Sequence, residues 1–138
     1  MKILALIITA YTPVMLLIHV STGKMLKAWE SPTGSWINRR FPPQRALRIE
    51  ALYWLLGLVG WTLWPSAAWK AAVVVFATIH LGVWVAGEVH TIHFTSGSGP
   101  LLAQTRWVRL GIITFDLIEA VMLAAMGSLA AIYLMHPG

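Results

Sequence analysis

Histidines and carboxylates occur inside the apolar segments of this chain, where an ionisable side chain needs a partner or a function. A charged side chain in the middle of a membrane helix costs about 2.5–3.5 kcal/mol on insertion scales. Imidazole nitrogens bind zinc, copper, iron and haem iron, and carboxylates add negative charge for a metal ion. The residues in question are His19, Glu50, His80, Glu88, His90, His93, Asp116 and Glu119.

Two pairs among them have the spacing of ligands on one helix face. His90 and His93 are three residues apart, as are Asp116 and Glu119, and residues at this spacing are neighbours on a helix. Helical bundles build metal sites from such pairs on facing helices. We therefore predict a site for iron, copper or zinc, or for a b-type haem held by His19 with His90 or His93. The predicted metal or haem ligands are His19, Glu88, His90, His93, Asp116 and Glu119.

The rise of a helix, about 1.5 Å per residue, predicts the depth of each polar side chain. Glu50 and Arg109 are expected to support the ligands. The level nearer the cytoplasm is predicted to hold Glu50, Arg109 and four of the ligands, which are His19, Glu88, His90 and His93. The level near the middle of the membrane is predicted to hold the polar residue His80 together with Asp116 and Glu119.

The composition indicates that the elements carrying these residues are membrane helices. Of the 138 residues, 58% are apolar and 11% are charged, whereas soluble domains carry about 25% charged residues. Each apolar segment is long enough to cross a hydrocarbon layer of about 30 Å. We predict a single domain over residues 1–138, an all-α integral membrane four-helix bundle with up-down topology and both termini on the same side. The predicted helices are about 3–21, 46–64, 67–93 and 107–135, and the predicted long loop is 22–45.

The basic residues predict the orientation, because cytoplasmic loops carry the excess of lysine and arginine. Eight of the ten lysines and arginines fall on one predicted side of the membrane, and only Lys2 and Lys70 fall on the other. We predict a multi-pass protein of the cell's inner (plasma) membrane with a cytoplasmic loop 22–45 and external termini. The net charge is +5, but the basic residues lie at the ends of apolar segments, which argues against binding to nucleic acid. The predicted cytoplasmic set is Lys24, Lys27, Arg39, Arg40, Arg45, Arg48, Arg106 and Arg109.

The favoured function is membrane redox chemistry or metal handling. The protein could then be a metal- or haem-dependent oxidoreductase, although the sequence identifies no catalytic residue. The chain has no cysteine, which excludes disulfides and thiolate ligands, and the motifs of common soluble hydrolases and nucleotide-binding proteins do not occur. Two alternatives stay open. One is an accessory or assembly subunit of a larger membrane complex, and the other is proton-coupled transport by a homo-oligomer through His80, Asp116 and Glu119. A structural role, in which each polar group only hydrogen-bonds a neighbouring helix, also stays open.

Overall fold

The computed structural model describes residues 1–30, 36–89 and 105–136, and the protein is all-helical over these ranges. Four long helices form a bundle, as predicted. A short helix precedes the second long one, and a 3-10 turn follows it. In chain order the elements are α1 (Lys2–Glu30), α2 (Trp36–Arg40), α3 (Pro43–Val59), the 3-10 turn (Trp61–Leu63), α4 (Ala67–Glu88) and α5 (Arg106–Met135).

Helices α1 and α5 pack antiparallel along most of their length. Near the start of α1, Thr12 lies so close to Gly127 that a Cβ atom on the glycine would come within 2.7 Å of the threonine side chain. Further along α1, the Thr22 hydroxyl donates a hydrogen bond to Asp116. The contact further along α1 therefore meets an earlier residue of α5, as expected for antiparallel helices.

Helix α3 runs back alongside α1. At the end of α1 the Trp29 indole donates to the carbonyl of Phe41, just before α3, over 2.8 Å. Nearer the start of α1, the Tyr11 hydroxyl donates to the carbonyl of Ile49 over 3.0 Å. These contacts place the first turns of α3 beside the last turns of α1.

Helix α4 is antiparallel to α3 in turn. A Cβ atom on Gly87, near the end of α4, would lie 3.0 Å from Leu47, near the start of α3. A Cβ atom on Gly57 would lie 3.5 Å from Val73 at the other end of the pair. The bundle therefore has up-down topology, which confirms the prediction that both termini lie at the same end.

Within the described ranges, three helices are long and apolar enough to cross a membrane: α1 as far as Trp29, α4 and α5. Large apolar side chains on the outside of the bundle are exposed, among them Ile3, Leu17 and Val121, as expected for a surface that faces lipid tails. Helix α3 has 17 residues and is shorter than the other three. That α3 also crosses the membrane stays a prediction.

Helix α1 is longer than the sequence prediction of 3–21, since it continues to Glu30. The extension buries Met25, Leu26 and Trp29, whose spacing continues one helix face. Much of the predicted loop 22–45 is therefore helical. As a result His19 lies well inside a helix rather than at its end.

The other helix limits differ less from the prediction. Helix α3 begins at Pro43 rather than 46, because proline is well suited to the first position of a helix. It ends at Val59, and the 3-10 turn covers 61–63 of the predicted 46–64. Helix α4 ends at Glu88, and the rest of the predicted 67–93 lies almost entirely outside the described residues. Helix α5 agrees with 107–135 to within one residue.

Candidate metal centre

Three ionisable side chains from three helices meet inside the bundle. His19 of α1, His80 of α4 and Glu119 of α5 each offer a ligand atom, and these atoms lie within 4.8 Å of one another. All three are buried, with 1%, 7% and 0% of their surfaces exposed. We call this group the buried centre. The carboxylate lies between the imidazoles: His19 Nε2 is 3.1 Å from Oε1 of Glu119 and His80 Nε2 is 3.2 Å from Oε2.

Both imidazole rings are fixed by the backbone of their own helix. Nδ1 of His19 is 2.8 Å from the carbonyl oxygen of Met15, and Nδ1 of His80 is 2.8 Å from that of Phe76. A carbonyl oxygen only accepts, so each Nδ1 carries the hydrogen and donates it. In the neutral rings the lone pairs of both Nε2 atoms are therefore directed towards Glu119.

Trp54 of α3 completes this arrangement and was not predicted as a site residue. Its indole Nε1 donates to Oε1 of Glu119 over 2.8 Å, and its ring stacks on that of His80 at a centroid distance of 5.6 Å and an angle of 26°. Trp54 is buried, with none of its surface exposed. Its spacing of four residues from Glu50, which places both on one face of a helix, was the signal that could have identified it.

Glu50 brings a second carboxylate to the edge of the centre. Its Oε2 is 3.9 Å from Nε2 of His80, and 13% of its side chain is exposed. Because Glu50 belongs to α3, all four long helices contribute an ionisable side chain at this depth. Glu50 therefore lies at the depth of His80 and Glu119, whereas the sequence analysis placed it at the level nearer the cytoplasm. That Glu50 supports the ligands stays a prediction.

The polar atoms of the centre are incompletely satisfied. His19 Nε2 and Glu119 Oε2 are buried and have no hydrogen-bond partner among the described residues. Each is nevertheless within ion-pair distance of a charged or chargeable group: His19 Nε2 of Glu119 Oε1, and Glu119 Oε2 of His80 Nε2. A lone pair facing a carboxylate oxygen is repulsive unless a proton or a cation lies between them. The centre is therefore arranged to hold positive charge at this point.

The predicted assignment of His19 to the cytoplasmic level is wrong. His19 lies with His80 and Glu119, and its ring centroid is 6.1 Å from that of His80. The longer α1 explains the difference, because its last three turns extend beyond His19 towards the basic end. The prediction that His80 and Glu119 lie at one depth is confirmed.

Asp116 lies close to the centre but outside it. It accepts a hydrogen bond from Thr22 and, being one turn before Glu119 on α5, it lies nearer the basic end of the bundle. Arg109 is in the first turns of α5, two turns before Asp116. Neither side chain is among the three that converge in the centre.

Glu88 has another partner and does not join the centre. Its carboxylate accepts two hydrogen bonds from Arg48, over 2.6 and 3.0 Å, at the exposed end of α4. It also accepts from the indole of Trp84 over 2.9 Å. His90 and His93, the remaining predicted ligands, lie outside the described residues.

A cavity of about 380 Å³ adjoins the centre on the side of the basic end. We call it the inner cavity. Glu50 and His80 form its inner wall, and Asp116 and Thr22 lie along its side. Its remaining walls are mostly apolar and include Ile79, Val83, Ile112 and Phe115.

Comparison of the chain with protein-family models, with curated proteins and with solved structures found no match.

Proposed function

We propose that this membrane protein binds one transition-metal ion at the buried centre, through His19, His80 and Glu119. The observation that carries the proposal is the convergence of three ligand atoms from three helices within 4.8 Å, all buried. Imidazole and carboxylate together suit zinc, iron and copper. Metal handling or membrane redox chemistry is the function that such a site supports.

The distances support an ion at this point. Bonds of about 2.0–2.1 Å from a tetrahedral zinc ion place neighbouring ligand atoms roughly 3.3 Å apart. The two distances between imidazole nitrogens and carboxylate oxygens are 3.1 and 3.2 Å. Because all three ligand atoms lie within 4.8 Å of one another, side-chain shifts on the order of 1 Å would bring them to the separations of a tetrahedral site.

The surroundings of the ligands also support it. Histidines that bind metal ions donate their other ring N–H to a carbonyl or carboxylate, which fixes the tautomer. Met15 and Phe76 accept those hydrogen bonds here, and Trp54 holds the carboxylate. The charges of Glu119 and Glu50 together would offset those of a divalent ion, which lowers the cost of burying it.

The first experiment is elemental analysis of the full chain purified in detergent, followed by titration with Co²⁺ and Zn²⁺. We expect one ion per chain and the visible absorption of four-coordinate cobalt. His19→Gln and His80→Gln should each weaken binding about 10-fold or more, because each removes a ligand. His136→Gln is the matched control, since His136 lies at the end of α5, away from the centre.

A folded preparation that contains no metal and takes up neither ion would overturn the proposal. Equal affinity in the His19→Gln, His80→Gln and His136→Gln variants would also do so. Circular dichroism of each variant distinguishes loss of the ligand from loss of the fold.

The same geometry disfavours a b-type haem held between His19 and His80. The predicted haem pairs, His19 with His90 or His93, involve residues outside the described ranges. A haem with two histidine ligands needs a flat slot between the two rings. Here the carboxylate of Glu119 lies between the rings of His19 and His80, and Trp54 stacks against one of them. The visible spectrum tests this directly, because a haem would give an intense Soret band.

Proton-coupled transport by a homo-oligomer is the second candidate, and the contact of Glu119 with both histidines favours it. Buried acids and histidines in contact pass protons in membrane pumps. In proteoliposomes Glu119→Gln should then abolish a proton flux that Glu88→Gln leaves intact. A metal-free protein without such a flux would exclude both candidates.

We place the protein in the inner (plasma) membrane with its basic end in the cytoplasm. Eight of the ten lysines and arginines belong to the last turns of α1, to α2 and to the first turns of α3 and α5, which the antiparallel packing brings to one end. The positive-inside rule supports this placement. The inner cavity would then lie on the cytoplasmic side of the metal ion.

A further inference from the structure

The inner cavity has the size and lining of a site for a small organic molecule. Its volume is about 380 Å³, and ligand pockets generally measure about 300–1,000 Å³. Ile79, Val83 and Ile112 provide apolar walls, and Phe115 presents an aromatic ring that also stacks on His80. An occupant therefore needs an apolar body.

The hydrogen bonds of the lining residues determine what head group that body must carry. The lining side chains that bear a donor already donate within the protein: Thr22 to Asp116 and Trp29 to the carbonyl of Phe41. His80 uses its Nδ1–H on the backbone of its own helix. The cavity thus has hardly any donor to offer to a ligand.

Acceptors, in contrast, remain. Among the described residues, Glu50 accepts no hydrogen bond and Asp116 accepts one, from Thr22 of α1. Both carboxylates line the cavity. An occupant must therefore donate hydrogen bonds, and a molecule with only acceptors is disfavoured.

The charge of the lining residues indicates which kind of hydrogen-bond donor the ligand carries. Among the described residues that line the cavity there is no lysine or arginine. Arg48, the basic residue nearest in sequence to Glu50, is bound to Glu88. Carboxylates out of water need positive charge close by, and the ring of Phe115 attracts a cation through its π face.

We propose that the inner cavity binds an organic ammonium ion with an apolar or aromatic body, its N–H groups donating to Asp116 and Glu50. The site shares Glu50 and His80 with the buried centre but does not require an ion there. Trp29, Pro43 and Val108, at the basic end of the bundle, also line the cavity.

Calorimetric titration of the full chain in detergent with 4-phenylbutylammonium tests the proposal. The control ligand is 4-phenylbutan-1-ol, which has the same body and a neutral donor, and which partitions into detergent on its own. We expect saturable binding of one ammonium ion per chain and at least about tenfold weaker binding of the alcohol. Asp116→Asn should weaken binding of the ammonium ion about tenfold and leave the alcohol unaffected.

A matched pair of glycine variants tests the location. Gly111 lines the cavity, and a Cβ atom there would meet nothing within 4 Å. Gly82 on α4 has equally open space and does not line the cavity. Gly111→Phe should abolish binding of the ammonium ion, whereas Gly82→Phe should retain it.

Equal affinity for the ammonium ion and the alcohol, or unchanged binding by Gly111→Phe, would overturn the proposal. The metal content of the same preparations is measured in parallel. Asp116→Asn and Gly111→Phe should keep the ion of the buried centre, because neither residue is one of its ligands. Failure of the cavity site is therefore distinguishable from failure of the metal site.

Discussion

Trp54 is the residue that holds the central carboxylate in position. Its indole N–H donates to Glu119 over 2.8 Å while its ring stacks on His80. The side chain therefore orients one candidate ligand by a hydrogen bond and a second by ring contact. Removing the N–H while keeping the aromatic ring separates these two contributions.

We predict that Trp54→Phe lowers the affinity for Co²⁺ or Zn²⁺ about 10- to 100-fold, the usual effect of losing a group that orients a metal ligand. The fold should persist, because phenylalanine keeps most of the ring packing. Trp61→Phe is the matched control, since Trp61 lies in the 3-10 turn with 42% of its surface exposed. Equal affinities in the two variants, measured by competition titration, would show that Trp54 does not support the ligands.

The sequence predicted part of the candidate site at this scale. His80 and Glu119 were predicted at one depth, because depth within a continuous apolar helix follows from counting residues. His19 was misplaced because the level of its side chain depends on where α1 ends and how far it extends past the membrane. Trp54 was missed because its contact with Glu119 depends on how α3 packs against α5, which the sequence does not show.

Gly127 determines how closely α1 and α5 approach. A Cβ atom there would lie 2.7 Å from Oγ1 and Cγ2 of Thr12 and 2.9 Å from its Cβ. Small residues at such crossings let membrane helices pack backbone to backbone. The same two helices carry His19 and Glu119, so their separation also sets the width of the buried centre.

We predict that Gly127→Ala destabilises the bundle by about 1–3 kcal/mol, because the added methyl group overpacks the crossing. Gly82→Ala, where the added atom meets nothing within 4 Å, should be neutral or slightly stabilising. Thermal unfolding in detergent provides the comparison. Thr12→Ala should relieve part of the cost in the double variant, since it removes two of the three crowded atoms, and additive effects of the two substitutions would contradict this explanation.

At the scale of elements the sequence predicted which segments are helical better than where they end. The long apolar runs of α4 and α5 were predicted because their composition permits little else in a membrane. The end of α1 was missed because the polar stretch that follows His19 suggested a loop. It contains Gly23, Pro32, Gly34, Pro42 and Pro43. Thr22, Met25, Leu26 and Trp29 are buried, so packing against neighbouring helices extends α1 to Glu30. Those neighbours cannot be identified from the local sequence.

The whole molecule is asymmetric along its axis, in charge and in packing. One end carries most of the lysines and arginines and the inner cavity, and the other carries both termini and a core that includes Ile8, Tyr53 and Met126. The candidate metal centre lies between them. If the ion and the ammonium ligand both enter from the basic end, the orientation of the bundle decides from which compartment they come.

The orientation can be tested because the chain has no cysteine, so a single introduced thiol is the only one that a maleimide can label. We predict that in intact cells a membrane-impermeant maleimide labels Pro65→Cys, in the exposed turn before α4, and does not label Arg40→Cys, in the exposed helix α2. After the membrane is permeabilised both variants should react, which shows that each thiol is accessible. Labelling of Arg40→Cys alone in intact cells would show the opposite orientation, with the inner cavity on the external side.

We expect the first result because the opposite orientation would require eight basic side chains to be translocated, against two in the predicted orientation. Short loops rich in lysine and arginine are retained in the cytoplasm.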